Sequence, residues 1–237
     1  MKDPTLHSGS LAKLRELVGS SLYRNASYVI VAHGTMAVLG FVFWVIVARF
    51  YTEAEVGYSG AIISAIGLVS LAGHLGLETF LIRFLPGSHN KPSVVNSCLT
   101  YSTLATFVLA VVCVAGLRLS SSEIAFVGRQ PAFFLSFVAF AVSASLFGLI
   151  GATFIARRRS QFVVVKGLAF SVLKLFLPLA FVTHFHAFGI VASWGLASLA
   201  AVALSLFVLL PRDFFLRAVV ASVAHAVGVG LPCLHTT

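Results

Sequence analysis

A chain of 237 residues that is 59% apolar and only 10% charged cannot cover a water-facing surface, since soluble domains carry about 25% charged residues. A mean hydropathy of +1.02 and 22 phenylalanines spread along the whole length make the bilayer the solvent and exclude a soluble globular domain. The net charge of +9 does not indicate nucleic acid, because the basic residues fall between long apolar runs and act as orientation signals.

The first 24 residues form a basic segment without the short apolar core and small-residue cleavage site of a signal peptide, so the amino terminus is expected to be retained. Leu11, Leu14, Val18 and Leu22 recur at helical spacing around Lys13, Arg15 and Glu16. That pattern fits either a short helix on the membrane surface or a mobile basic tail.

With about 20 apolar residues needed to cross the hydrocarbon core, the sequence predicts six spans, at 28–47, 57–77, 98–117, 132–156, 162–182 and 187–210. Loops at 86–97 and 118–131 carry proline, glycine and asparagine or serine turn chemistry. The expected organisation is a basic segment at 1–24, a six-helix lobe at 25–210 and a tail or incomplete seventh helix at 211–237. The fold class is therefore an all-α, polytopic transmembrane helix bundle.

Six alternating spans divide the cations unevenly. Lys2, Lys13, Arg15, Arg24, Arg83, Lys91, Arg157, Arg158, Arg159, Lys166, Arg212 and Arg217 fall on one side, against Arg49, Arg118 and Arg129 on the other. Twelve against three predicts that both termini and the 86–97 and 157–161 loops are cytoplasmic.

Ionisable groups inside a span are costly and need a partner, water or a function. Lys174 lies deep in the fifth span, on a face shared with Lys166, Gly167, Ser171 and Pro178, and this small, polar stripe is expected to meet a cavity or a packed partner. Gly60, Ser64, Gly67, Ser70, His74 and Glu78 run down one side of the second span, where the small residues suit close helix packing. His74 and Glu78 form an i, i+4 titratable pair suited to carrying a proton or ion, and Arg83 one turn on is a possible counter-charge to Glu78. His33 reads first as an interior histidine. His184 and His186 lack a carboxylate or cysteine nearby to complete a metal site.

No metalloprotease, hydrolase or nucleotide-binding motif occurs, and Cys98, Cys113 and Cys233 have no ligand spacing, so neither enzyme activity nor a cofactor or metal is expected.

Two stretches carry a family resemblance. RNASYVIVAHGTMAVLGFVFWVIVARFYTEAEVGYSGAIIS at 24–64 and LAGHLGLETFLIRFLPG at 71–87 resemble the amino-terminal lobe of polysaccharide and lipid-linked oligosaccharide flippases of the multidrug/oligosaccharidyl-lipid/polysaccharide exporter superfamily. The resemblance implies a two-lobed helical transporter in the inner or plasma membrane, alternating access around a hydrated cavity and moving polyprenyl-pyrophosphate oligosaccharides for polysaccharide or lipopolysaccharide synthesis. It makes Lys174, Arg49 and Arg83 candidates for the anionic head group, and Glu78 with His74 the candidates for ion coupling. Six spans make one lobe, so a second lobe or a second copy is the expected protein partner, and the segment ending GVGLPCLHTT suggests truncation. Rival expectations are a non-transporting scaffold of a polysaccharide synthesis complex and a multidrug exporter of the same superfamily.

Overall fold

A computed structural model describes residues 21–119, 131–181 and 186–209. The expectations for 1–20, for Arg118, Arg129, His184 and the side chain of His186, and for the segment 211–237 with Cys233 concern structure outside the described residues and side chains.

The described residues are helical, with no strand among them. We label the helices α1 (Ser21–Phe50), α2 (Glu53–Gly73), α3 (Leu77–Phe84), α4 (Lys91–Leu119), α5 (Pro131–Ala156), α6 (Gln161–Phe181) and α7 (His186–Leu204), the last continuing into a π-helical turn at Ser205–Leu209. Six of them, all but the short α3, are long and apolar enough to cross a membrane. Their outward faces carry Ile30, Phe41, Leu68, Leu104, Leu135 and Phe176 at high exposure, an apolar surface that lipid satisfies and water does not. The chain is a multi-pass, all-α membrane bundle.

Local chemistry sets the ends of these helices. Thr52 caps α2 through a capping box, its Oγ1 accepting from the Glu55 N–H while the Glu55 carboxylate accepts from the Thr52 N–H at 2.9 Å. Tyr51, in the same corner, donates its hydroxyl to the carbonyl of Pro178 at 2.8 Å and ties the end of α1 to the end of α6. Burial and, secondarily, the charge of Glu55 push the Tyr51 phenol up, so it stays a donor.

At the other end, Asn90 accepts from the Ser93 N–H at 3.4 Å, and Pro92 sits in the first turn of α4, where its missing N–H costs nothing. The expected loop at 86–97 is thus reduced to a turn, and α4 begins two turns before the predicted span.

The α5–α6 turn is a Schellman closure, in which the Arg159 N–H reaches the Phe154 carbonyl at 2.9 Å and the Arg158 N–H the Ile155 carbonyl at 3.0 Å. Arg158 occupies the left-handed position at φ 56°, where glycine is the usual residue and a side chain costs about 1–2 kcal/mol.

The second predicted span departs from the sequence reading. Helix α2 stops at Gly73, Leu75 and Gly76 take left-handed φ values of 50° and 75°, and Glu78 starts the separate helix α3. The small-residue side is also split: Ser70 is buried and Gly60 half-buried, whereas Ser64 and Gly67 face outward.

Helix α5 is central, touching α2, α3, α4, α6 and α7. Small residues let α7 close on it: a Cβ on Gly195 would overlap the Phe140 ring, and Ser143 Oγ donates to Ser198 Oγ at 3.0 Å. Helix α1 packs chiefly along α6, in a register marked by Asn25 beside Ser160, Met36 beside Gly167, Gly40 beside Lys174 and Tyr51 beside Pro178.

Candidate functional site

The break between α2 and α3 builds a polar site inside an apolar bundle. Ending α2 at Gly73 releases backbone carbonyls that lipid could not satisfy. Ser102 of α4 answers one of them, donating its Oγ to the Gly73 carbonyl at 3.1 Å while lying 2.8 Å from Ser145 Oγ of α5. The approach depends on Gly73, because a Cβ there would overlap Thr106.

His74 lies at the C-terminus of α2, buried, with Nε2 3.1 Å from the Ser145 carbonyl. A carbonyl only accepts, so Nε2 carries a proton and donates it. The other nitrogen, Nδ1, stands 3.3 Å from Oε1 of Glu78 and has no hydrogen-bond partner of good geometry. A neutral imidazole protonated on Nε2 and an ionised carboxylate would oppose two lone pairs at that distance. One proton between Nδ1 and Oε1 removes the conflict, as an imidazolium beside a carboxylate or as a carboxylic acid donating to the ring.

Glu78 also opens into a cavity of about 170 Å³, lined in addition by His33, Met36, Phe147, Gly148, Gly151 and Lys166. Lys166 is 3% exposed; its Nζ donates to the Phe147 carbonyl and lies 3.8 Å from the Phe147 ring centroid. Two glycines one turn apart on α5 make the recess. A Cβ on Gly148 would overlap the Glu78 carboxylate and approach the His74 ring, and one on Gly151 would come within 2.9 Å of Lys166 Nζ. The cavity brings together the carboxyl of Glu78, the amine of Lys166 and the imidazole of His33 at its edge, with room for several waters.

The structure brings Glu78 and His74 together, from different helices, and adds Lys166. The orientation count placed Lys166 with the basic end; it is an ion within α6, which leaves eleven cations against three. Met36, Gly148 and Gly151 were missed, although a glycine pair at i, i+3 in an apolar span was a readable signal. His33 is exposed at the cavity wall rather than interior.

The three proposed head-group residues occupy separate places. Lys174 is buried between α1 and α6, its Nζ 4.9 Å from the Phe170 ring centroid and 5.4 Å from that of Phe43, with no carboxylate partner among the described residues. It lies eight residues, about 12 Å, along α6 from Lys166. Arg49 is exposed in the last turn of α1. Arg83 is exposed in the last turn of α3, over the Phe84 ring at 5.6 Å rather than on Glu78.

No family model, curated protein or solved structure matches the chain.

Proposed function

We propose that this chain is one lobe of a membrane transporter for an anionic, lipid-linked substrate of the polyprenyl-pyrophosphate oligosaccharide type, acting in the plasma or inner membrane. The observation that carries the proposal is the Glu78–His74 pair, which needs one proton at its centre, sharing a cavity within the bundle with the buried Lys166. Ionisable groups at such depth mark substrate and proton pathways. Protonation of the pair changes the charge that Lys166 faces, so proton and anion occupancy are linked within one cavity.

The substrate class rests on the sequence resemblance at 24–87 and on two buried lysines, Lys166 and Lys174, the first sharing its cavity with Glu78. A cation in a low-dielectric site attracts phosphate strongly. Lys174 serves as a second anion contact deeper in the lobe; Arg49 and Arg83 stand at its two ends, where they would meet head groups before or after passage. A second lobe or a second copy completes the enclosure.

The test is surface display of a lipid-linked glycan in cells expressing the chain, with Lys166→Met and Lys174→Ala variants quantified at equal protein level. The proposal expects display to fall about tenfold or more in each, the worth of one charge-assisted contact. Unchanged display together with lost association with the glycan-synthesising enzymes would mean a scaffold instead.

A further inference from the structure

A groove of about 340 Å³ lies at the basic end of the lobe, between the start of α1, the end of α3 and the α5–α6 turn. Its walls are apolar, contributed by Val29, Ile82, Pro86, Ile155 and Ala156, and its polar end is formed by Asn25, Arg158 and Ser160. Ile82 and Ile155 separate it from the Glu78–Lys166 cavity, which they also line.

Three features of the polar end act together. Ser160 is fully buried, and its Oγ has no hydrogen-bond partner. A serine just before a helix normally caps it with that oxygen; here Ser160 precedes α6, yet its hydroxyl is left over at the groove wall. Its backbone N–H is held by Asn25 Oδ1 at 3.4 Å, which fixes the turn against α1.

The 21-residue helix α6 begins at the same point and directs its positive end there. Arg158, exposed and without a carboxylate partner among the described residues, is held over the groove by the left-handed turn that would more easily take glycine. Arg157 and Arg159 flank it in the same turn, so the turn is basic throughout.

We infer that this groove binds the phosphate-bearing head group of a membrane lipid, with Ser160 Oγ and Arg158 on the phosphate and the apolar walls on the first part of the tail. The amphipathic shape selects a lipid over a free anion. Clustered arginines at the cytoplasmic interface attract anionic lipids generally, but only a built pocket makes the interaction saturable. The site stands whether or not the chain transports, because binding is read directly.

The experiment measures binding of fluorescently labelled phosphatidic acid and phosphatidylcholine to the full chain in detergent micelles, for wild type and for Arg158→Gly, Ser160→Val and Arg159→Gln. Arg158→Gly suits its left-handed position and preserves the fold, so its effect reports the side chain. The expected result is saturable binding of phosphatidic acid, about tenfold tighter than phosphatidylcholine, with a loss of about tenfold in Arg158→Gly and in Ser160→Val and little change in Arg159→Gln. Equal binding of the two lipids overturns the inference, and so does a loss in Arg159→Gln as large as that in Arg158→Gly, which would indicate diffuse charge. Displacement of the lipid by inorganic phosphate would mean a free-anion site and overturns the lipid assignment.

Discussion

His74 and Glu78 meet at 3.3 Å across a break in the chain, one ending α2 and the other opening α3, and the Ser145 carbonyl on the far side of the ring decides which imidazole nitrogen faces the carboxylate. In Glu78→Gln the amide N–H₂ donates to a neutral Nδ1 instead, so the pair is satisfied without an exchangeable charge. Folding is expected to change by no more than about 1 kcal/mol, while the pH dependence of transport disappears. A pH–rate profile compared with wild type checks the second expectation, and thermal unfolding in detergent the first.

The α5 glycines predict an asymmetric response to alanine. Gly148→Ala drives a methyl into the Glu78 carboxylate and the His74 ring, and overpacking of this kind costs about 1–3 kcal/mol. Gly67→Ala points into open space and is expected to be neutral or to stabilise by about 0.5–1 kcal/mol. Thermal unfolding in detergent, with the two variants side by side, separates a recess from a generic small-residue preference.

Lys166 is a buried lysine whose amine is held by one carbonyl and one ring face. Replacing such a buried ionisable group with an apolar side chain of similar length is often neutral or stabilising. Lys166→Met should therefore unfold at the same temperature as wild type or higher, and still lose transport. A variant that lost both would mark Lys166 as a packing element of the bundle.

Ser102 joins three helices through one hydroxyl, donating to the Gly73 carbonyl and meeting the Ser145 hydroxyl. Ser102→Ala leaves the Gly73 carbonyl unpaired in a dry interior, at a cost of about 1–3 kcal/mol. Hydrogen exchange should then rise at the α2–α3 break before it rises in α5.

Much of this architecture was readable because the signals were long or local. Six spans follow from apolar runs near the membrane thickness. The Lys166–Lys174–Pro178 face of α6 is buried as the spacing suggested.

The break at Leu75–Gly76 was not legible, since His74 and Glu78 keep helical spacing through it and only the three-dimensional setting of Ser102 and Ser145 makes the interruption tolerable. Lys166 was read as an orientation charge because it lies near a helix end, where cations usually reach the interface. Its depth depends on the room left by Gly148 and Gly151, two positions that mean nothing until α3, α5 and α6 are placed side by side. Lys174 stood out by its depth in a span, but Arg49 and Arg83 joined it only through the family resemblance and their charge, neither of which says that the three share one site.

Coupling between the His74–Glu78 pair and an anionic substrate is read most directly as the proton count on substrate binding. A polyprenyl pyrophosphate is added to the full chain in detergent at about pH 7, near where histidine changes charge, and the protons taken up or released are read with an indicator dye, for wild type and for the His74→Gln/Glu78→Gln double variant. Wild type is expected to show a net proton change on binding, and the double variant to bind the substrate with that change abolished. Substrate binding to wild type with no proton change would rule out coupling through the His74–Glu78 pair.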